Sequence, residues 1–496
     1  MAVAYLLLPL AIFLASWFEI WAALPLLICL VYSMKGLIGP VQLDRAVDAQ
    51  PAPARMHLVV AVLIACAWTA CGGTGHLVFA NADWHVRDAV LHDLVTGPWP
   101  VAYLTPDGAT RLLRAPIGFY LPAALVGKWA GLMAAHAAMA AWTAAGATLF
   151  LLQVLSSIPS RLGGALVAAA VIVLFSGLDV VGILLHAPAG ATAHWDFTWH
   201  LEWWAERYQY SSMTTQLFWV PNHALCGWVV MGLMMRSARG ALEPMLPILI
   251  VAVALCSPLT ALGVVPFALL RVGEAMRRSL ALAHPRVWVP ASIVGLVVAA
   301  YLTLDSSRIP RSWTVGSGSS ALSDLARQSE FFVLEAGLVG GVILTLRRSR
   351  TVVLALVVLA LLPLVSFGEA NDFVMRASIP SLAALAMEAA RALAAPAATA
   401  ALNAKKILLG ALLAIGAVTP FQEFARATVL PRWPINARAT LVDAACGRYP
   451  PHYAARLDGQ PIVRLLRPPH PLFSDPPDTS ACENPAIEIE RERDIR

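Results

Sequence analysis

Long apolar runs without a charged residue are the feature that most restricts the fold of this chain. They recur along its length, for example over residues 57–76, 131–155 and 351–368. About 20 apolar residues cross a bilayer as a helix, and in lipid only helices and closed barrels satisfy their backbone hydrogen bonds. The runs lack the two-residue alternation of barrel strands. The sequence therefore predicts an all-α, polytopic transmembrane helical bundle of about 10–13 membrane helices.

The composition supports lipid as the solvent of this chain. Of its 496 residues, 59% are hydrophobic and 13% are charged, whereas soluble proteins have about 25% charged residues. No basic patch is interleaved with aromatic residues, which argues against nucleic acid as a partner. Cysteines in C-x-x-C metal spacing are absent from the sequence. Cys446 and Cys482 lie in a polar tail and could pair in an oxidising compartment.

Basic and acidic residues fall in different loops, which predicts the orientation of the chain. Lys and Arg gather in loops such as 35–55, 271–286 and 347–350, whereas Asp and Glu gather in loops such as 83–93 and 305–335. Basic loops remain in the cytoplasm by the positive-inside rule. The acidic loops are therefore predicted to lie on the other face.

The alternation of basic and acidic loops along the chain predicts its division into two parts. Residues 1–420 form the bundle, with outside loops at 77–130, 186–215 and 305–330 and with interfacial helices in the first of these. Residues 421–496 are Pro-rich and polar and form a periplasmic C-terminal tail or a small cap.

Two runs do not fit a single crossing. Residues 3–34 are too long for one ordinary span, and Glu19 favours a tight hairpin, although one span stays open. Residues 244–272 have basic residues on both sides, so one crossing would break the positive-inside rule. The Ser257-Pro258 step predicts two half-helices that enter and return.

The segment after the early spans contains the sharpest candidate site. Residues 84–95 have apolar positions at helical spacing and predict an amphipathic helix on the membrane interface. Asp83 precedes it, and Asp88 shares one side with His85 and His92. A carboxylate here could act as a general base or hold a divalent metal on a phosphate. The structural alternative is that Asp83 only caps the helix and the other charges face water.

An acid in the first long outside loop, before a juxtamembrane helix, resembles the GT-C superfamily of membrane glycosyltransferases. The many spans and the tail resemble it too. The resemblance implies a polyprenyl-phosphate-linked sugar donor, a glycan, lipid or protein acceptor, and a periplasmic active face in the bacterial inner membrane. It assigns the acceptor-activating acid to Asp83, with Asp88 as second candidate. Asn81 replaces the first acid of the D-x-D pair of some members, so a divalent metal stays open and no cofactor is certain.

The second outside loop and the next span offer further binding residues. Asp196, His200 and Glu202 lie among aromatic residues, and flat rings stack on sugar faces while acids bind hydroxyls. An aromatic belt at the membrane interface is the structural alternative. Asn222 and His223 begin the next span, where polar residues must face protein or a cavity.

Three arginines are candidates for phosphate contacts. Arg376 begins a span after an acidic loop and is suited to the donor phosphate, although a structural pair with Asp372, four residues earlier, is equally compatible. Arg111 and Arg114 in the first loop either bind phosphate or anchor to lipid headgroups.

These features favour a transferase over two other classes. A multi-span transporter or a lipid-linked glycan flippase would place ionisable residues near mid-membrane. Most span centres here are free of charge, and the acids lie at one face. A scaffold protein without catalysis stays open.

Overall fold

The protein is a bundle of α-helices with two very small β-sheets. The computed structural model describes residues 1–34, 54–186, 200–237, 242–277, 285–316, 320–368, 371–396, 399–472 and 482–494. Among these residues, seven helices are long and apolar enough to cross a membrane. They are Leu132–Leu155, Leu162–His186, Pro258–Met276, Pro285–Leu302, Ala321–Leu346, Asp372–Ala394 and Ala400–Val429. The prediction of a helical membrane protein is confirmed at this level.

The first half of the described chain contains helices α1 to α12. They are α1 Ala2–Trp17, α2 Ile20–Met34, α3 Arg55–Ala70, α4 Asp83–Thr96, α5 Leu121–Ala130, α6 Leu132–Leu155, α7 Leu162–Leu174, α8 Asp179–His186, α9 Met213–Trp219, α10 Pro221–Arg236, α11 Leu246–Cys256 and α12 Pro258–Met276. Strands β1 Ala102–Leu104 and β2 Thr110–Leu113 lie between α4 and α5.

The second half continues with α13 to α22. They are α13 Pro285–Leu302, α14 Ala321–Phe332, α15 Leu338–Leu346, α16 Arg350–Leu361, α17 Asp372–Ala377, α18 Ile379–Ala394, α19 Ala400–Gly416, α20 Val418–Val429, α21 Leu441–Ala444 and α22 Pro485–Asp494. Strands β3 Arg311–Trp313 and β4 Val365–Phe367 pair antiparallel. Strand β5 Ala454–Arg456 pairs with β2 in a sheet of order β1-β2-β5.

The predicted break near Glu19 is present. Helices α1 and α2 pack against each other on either side of Phe18 and Glu19. The tail holds this turn, because the Glu19 amide donates to the Leu465 carbonyl at 2.9 Å. Arg467 Nε also donates to the Phe18 carbonyl at 3.0 Å. The turn therefore lies at the end of the bundle that the tail covers.

The run 244–272 folds back on itself, as its flanking charges predict. Arg271 Nη2 lies 2.7 Å from Oε1 of Glu243, whose side chain is fully buried. This ion pair joins the end of α12 to the segment just before α11. The reversal is at Ser257, whose side chain accepts from the Thr260 amide. Pro258 takes the first helical position, where its missing N–H costs nothing. The half-helix prediction is wrong for α12, because its 19 residues are long enough to cross a membrane.

Helix α4 is buried rather than interfacial, so that sequence prediction is wrong. Residues on all its sides are buried, including Trp84, Asp88, Leu91 and Asp93. Trp84 does not mark an interface, because its Nε1 donates to the Phe218 carbonyl at 2.9 Å inside the protein. Helices α5, α6 and α21 pack around α4, and this cover removes its polar residues from solvent.

The tail closes over the first loop. The last membrane-length helix, Ala400–Val429, comprises α19 and α20 and extends beyond the predicted boundary at 420. The described chain after it packs on α4 and β2. The Leu441 amide donates to Asp93 Oδ2 at 2.9 Å, and Cys446 and Cys482 form a disulfide with a Cα separation of 4.8 Å. We call the end of the bundle covered in this way the capped end.

Candidate functional site

Two cavities adjoin at the capped end. The large cavity has a volume of about 920 Å³ and is lined by residues that include Asp83, His200, Trp203, Glu206, Trp219 and Gln216. The small cavity has a volume of about 310 Å³ and is lined by residues that include Arg114, Asn222, His223, Leu259, Leu262 and Tyr453. Pro310, Gly368, Asp372 and Arg376 line both cavities. The two spaces therefore meet at these four residues.

Asp83 presents a carboxylate to the large cavity. It is the first residue of α4, and its side chain is 43% exposed. Its Oδ2 lies 2.7 Å from Nη2 of Arg87, one helical turn further along. Arg87 is buried and donates through Nη1 to Asn222 Oδ1 at 2.7 Å. The ion pair fixes the direction of the Asp83 carboxylate.

The network from Arg87 continues into the small cavity. Asn222 Nδ2 lies 3.1 Å from His223 Nε2, and His223 Nδ1 lies 2.8 Å from Ser257 Oγ. These residues are at the first turns of α10 and α12, which both begin with proline after a break. A helix N-terminus has a partial positive charge. Two helix N-termini therefore face the small cavity and favour an anion there.

Arg376 and Asp372 lie where the two cavities meet. Both are on α17, and Arg376 Nη2 lies 2.8 Å from Asp372 Oδ1. The pairing that the sequence left open is therefore present, and it lies in a cavity wall. Gly368 has a φ of +91°, and a Cβ at this position would collide with the Asp372 carboxylate. Only glycine fits this turn against the pair.

His200 is a buried cation in the wall of the large cavity. Its Nδ1 lies 2.9 Å from Glu423 Oε1, and its Nε2 lies 3.6 Å from Glu202 Oε2. Burial alone would lower the pKa of His200, but the adjacent carboxylates of Glu202 and Glu423 raise it to about 9. Glu202 lies behind His200 and accepts from the Ser212 amide at 2.8 Å. The imidazolium therefore persists at neutral pH.

The raised pKa of His200 predicts a loss of stability at alkaline pH. The protonated form stabilises the fold fully below the ordinary histidine pKa of about 6.5, and this contribution disappears as pH rises through about 9. We expect the free energy of unfolding to fall by up to about 3 kcal/mol between pH 6.5 and 10. Thermal unfolding of wild type and His200→Gln in detergent across this range measures it. The variant should show a flatter profile, and parallel profiles would contradict the assignment.

Five predicted site residues do not line either cavity. They are His85, Asp88, His92, Arg111 and Glu202. Asp88 is fully buried, and its Oδ2 lies 2.9 Å from His76 Nε2. The same oxygen accepts from the Asn436 amide at 3.2 Å. His92 contacts Asp93 rather than Asp88, with Nδ1 and Oδ1 3.1 Å apart. Asp88 therefore joins the first loop to the tail. The remaining predicted site residue, Asp196, lies outside the described residues.

The two candidate arginines of the first loop, Arg111 and Arg114, lie in different surroundings. The Arg111 guanidinium lies 5.3 Å from the centroid of the Tyr449 ring, away from both cavities. Arg114 lines the small cavity and donates to the carbonyls of Leu302 and Pro451. Burial lowers the pKa of Arg114. Through its hydrogen bonds to Leu302 and Pro451, Arg114 joins the tail to the wall of the small cavity.

Sequence reasoning missed several residues of the site. Arg87 lies four residues after Asp83, a spacing that already indicates a helical ion pair. The sequence pattern indicates Ser257 only as a break between helices. Pro451 and Tyr453 belong to the tail, and no sequence pattern connects them with a cavity.

The described residues contain no group of three or more His, Cys, Asp and Glu side chains placed to hold a metal ion. Comparison with known family models, with curated proteins and with solved structures found no match. The argument for function therefore depends on the chemistry of the two cavities.

Proposed function

We propose that the protein is a multi-pass glycosyltransferase of the bacterial inner membrane, of the kind that the GT-C resemblance implies. It transfers a sugar from a polyprenyl-phosphate donor to a glycan, lipid or protein acceptor on the periplasmic face. The observation that supports this most is the meeting of a polar, aromatic cavity with a largely apolar one at Asp372 and Arg376.

The proposed orientation places the capped end in the periplasm. Five shorter apolar helices, added to the seven long ones, give twelve. Helix α10 also reaches from the capped end to the opposite end, so the proposed orientation has thirteen membrane helices, at the upper limit of the predicted range. The basic turns at Arg236, Arg347 and Lys405 would then face the cytoplasm. The disulfide between Cys446 and Cys482 fits this orientation, because disulfides persist in the periplasm and are rare in the cytosol.

The small cavity suits the phosphate and the first prenyl units of the donor. Leu259, Leu262 and Ile309 supply apolar surface. Arg376 and the N-termini of α10 and α12 supply positive charge next to that surface. This combination matches an anion that is covalently attached to a hydrocarbon chain.

The large cavity suits the sugar and the acceptor. Trp203 and Trp219 offer flat rings, and Asp83 offers a carboxylate. In a single displacement, the acceptor oxygen bonds to the anomeric carbon as the bond from that carbon to the phosphate oxygen breaks. Asp83 takes the acceptor proton, and Arg376 meets the charge of the leaving phosphate. This mechanism inverts the anomeric centre.

A transporter or flippase is the second candidate, because another cavity of about 930 Å³ lies at the opposite end of the bundle. Helix α10 runs between the two ends, and its central residues Trp228, Val229 and Val230 are fully buried. A transporter would have to open this layer. Movement of a labelled polyprenyl-phosphate sugar across the bilayer, without its consumption, would favour this candidate over the transferase.

The test of the proposed function uses Arg376→Ala in proteoliposomes with radiolabelled polyprenyl-phosphate sugars. We expect wild type to release the prenyl phosphate and move the label to a cell-envelope acceptor extract. Arg376→Ala should bind the donor about 10- to 100-fold more weakly, since it removes a charge-assisted contact.

Arg308→Ala is the matched control for this test. Arg308 is 45% exposed, pairs with Asp305 at 3.4 Å and does not line either cavity. It should leave donor binding unchanged. Equal weakening in both variants would contradict the role of Arg376, and no release of prenyl phosphate from any donor would contradict the transferase.

A further inference from the structure

The cavity at the opposite end of the bundle is separate from the proposed active site. It has a volume of about 930 Å³ and lies between the ends of α10, α12 and α18 and the turn between α15 and α16. It shares no lining residue with the two cavities at the capped end. Its chemistry therefore needs its own explanation.

Positive charge dominates the lining of this cavity. Six arginines line it: Arg271, Arg277, Arg347, Arg348, Arg350 and Arg391. Glu388 pairs with both Arg347 and Arg391, and Glu274 lies 3.0 Å from Arg350. Arg271 pairs with Glu243 beside the cavity. Six arginines against three glutamates leave an excess of three positive charges.

Two of the arginines are available to a ligand. Arg277 and Arg348 are exposed, and within the described parts of the chain neither forms an ion pair. They come from separate segments, one after α12 and one in the turn before α16. Both line the same concave volume. This arrangement differs from basic residues that are scattered over a flat membrane surface.

Two other features of the cavity point to the same kind of ligand. Ser349, Arg350 and Thr351 form the first turn of α16 and line the cavity, so the positive end of this helix faces the ligand space. Met231 and Phe267 contribute apolar wall next to the arginines. The cavity therefore combines an anion-binding rim with hydrocarbon contacts.

We propose that this cavity binds a phosphate group, either in the headgroup of an anionic phospholipid from the adjacent leaflet or in a soluble phosphate compound. The arginine fork matches two phosphate oxygens at once, and the excess positive charge favours the binding of an anion. The proposal does not depend on the proposed glycosyl transfer, because no residue is shared between the sites.

The test measures phosphate binding by full-length protein in nanodiscs of zwitterionic lipid. One arm adds phosphatidylglycerol to the nanodisc, and the other adds inorganic pyrophosphate to the buffer. We expect at least one probe to raise the thermal unfolding temperature saturably. Arg277→Gln with Arg348→Gln should weaken that binding about 10-fold or more. A response to lipid alone assigns the phospholipid, and a response to pyrophosphate assigns a soluble compound.

The control removes the same charge elsewhere. Arg55→Gln with Arg161→Gln replaces two exposed arginines at the starts of α3 and α7 that do not line the cavity, and it should leave binding unchanged. A lysine double variant at Arg277 and Arg348 keeps the charge and should bind with intermediate affinity, which provides a test if the glutamine variant folds poorly. Equal weakening by both glutamine pairs, or no saturable binding of either probe, would overturn the proposal.

Discussion

Replacing Asp83 by asparagine is expected to lower the rate of sugar transfer by about 100- to 10,000-fold, the usual contribution of a positioned general base. Asparagine has a similar shape but cannot accept the acceptor proton. The Asp83 carboxylate is the only acid of α4 that lines the large cavity. The measurement is single-turnover transfer from a polyprenyl-phosphate donor in proteoliposomes, with an unfolding curve to verify the fold.

Asp107→Asn is the control for the same loop. Asp107 is exposed, pairs with Arg456 at 3.0 Å on the surface and does not line either cavity. Its replacement should leave the transfer rate unchanged. If Asp83→Asn retained full activity while properly folded, another group would have to be the base.

The second large effect is expected on stability. Arg271→Ala should lower the free energy of unfolding by about 3–5 kcal/mol, the usual result of removing one partner of a buried ion pair. The Glu243 side chain is 0% exposed, and Arg271 meets it through Nε at 2.9 Å and Nη2 at 2.7 Å. The variant leaves a buried carboxylate without this partner. Chemical unfolding in detergent measures the change.

A surface pair provides the comparison. Arg456→Ala removes the contact with Asp107, and the two side chains are 49% and 57% exposed. Because solvent screens such a pair, this variant should leave the free energy of unfolding almost unchanged. The double variant Glu243→Leu with Arg271→Met should recover much of the loss, because it removes the buried charge as well. A small effect of Arg271→Ala alone would show that the ends of α11 and α12 are held together by apolar packing.

The sequence predicted those features of the fold that depend on local pattern. Apolar runs predicted the long helices, and charges on both sides of 244–272 predicted the reversal at Ser257. Asp83, His200 and Arg376 come from separate loops and line one cavity, and their roles in function stay a prediction. The predictions of the long helices and of the reversal succeeded because periodicity and charge asymmetry are properties of short segments.

Features that depend on distant contacts were not predictable in this way. The pattern of α4 indicated a helix with one polar side in water, whereas Asp93 is buried and burial raises its pKa. Its oxygens accept from the Tyr103 hydroxyl at 2.7 Å and from the Leu441 amide, 348 residues away. Buried polar groups are tolerated when they are hydrogen-bonded in this way. A single sequence gives no sign of partners that are so far along the chain.

The contact between the first loop and the tail has a consequence for how the protein is made. Synthesis proceeds at about 5–20 residues per second, so α4 exists for about 20–70 seconds before Leu441 is translated. During this interval Asp88 and Asp93 lack their backbone donors from the tail. The small cavity therefore acquires the part of its wall that Pro451 and Tyr453 supply only late in biosynthesis. A chain truncated before residue 430 would be a membrane bundle that lacks this wall.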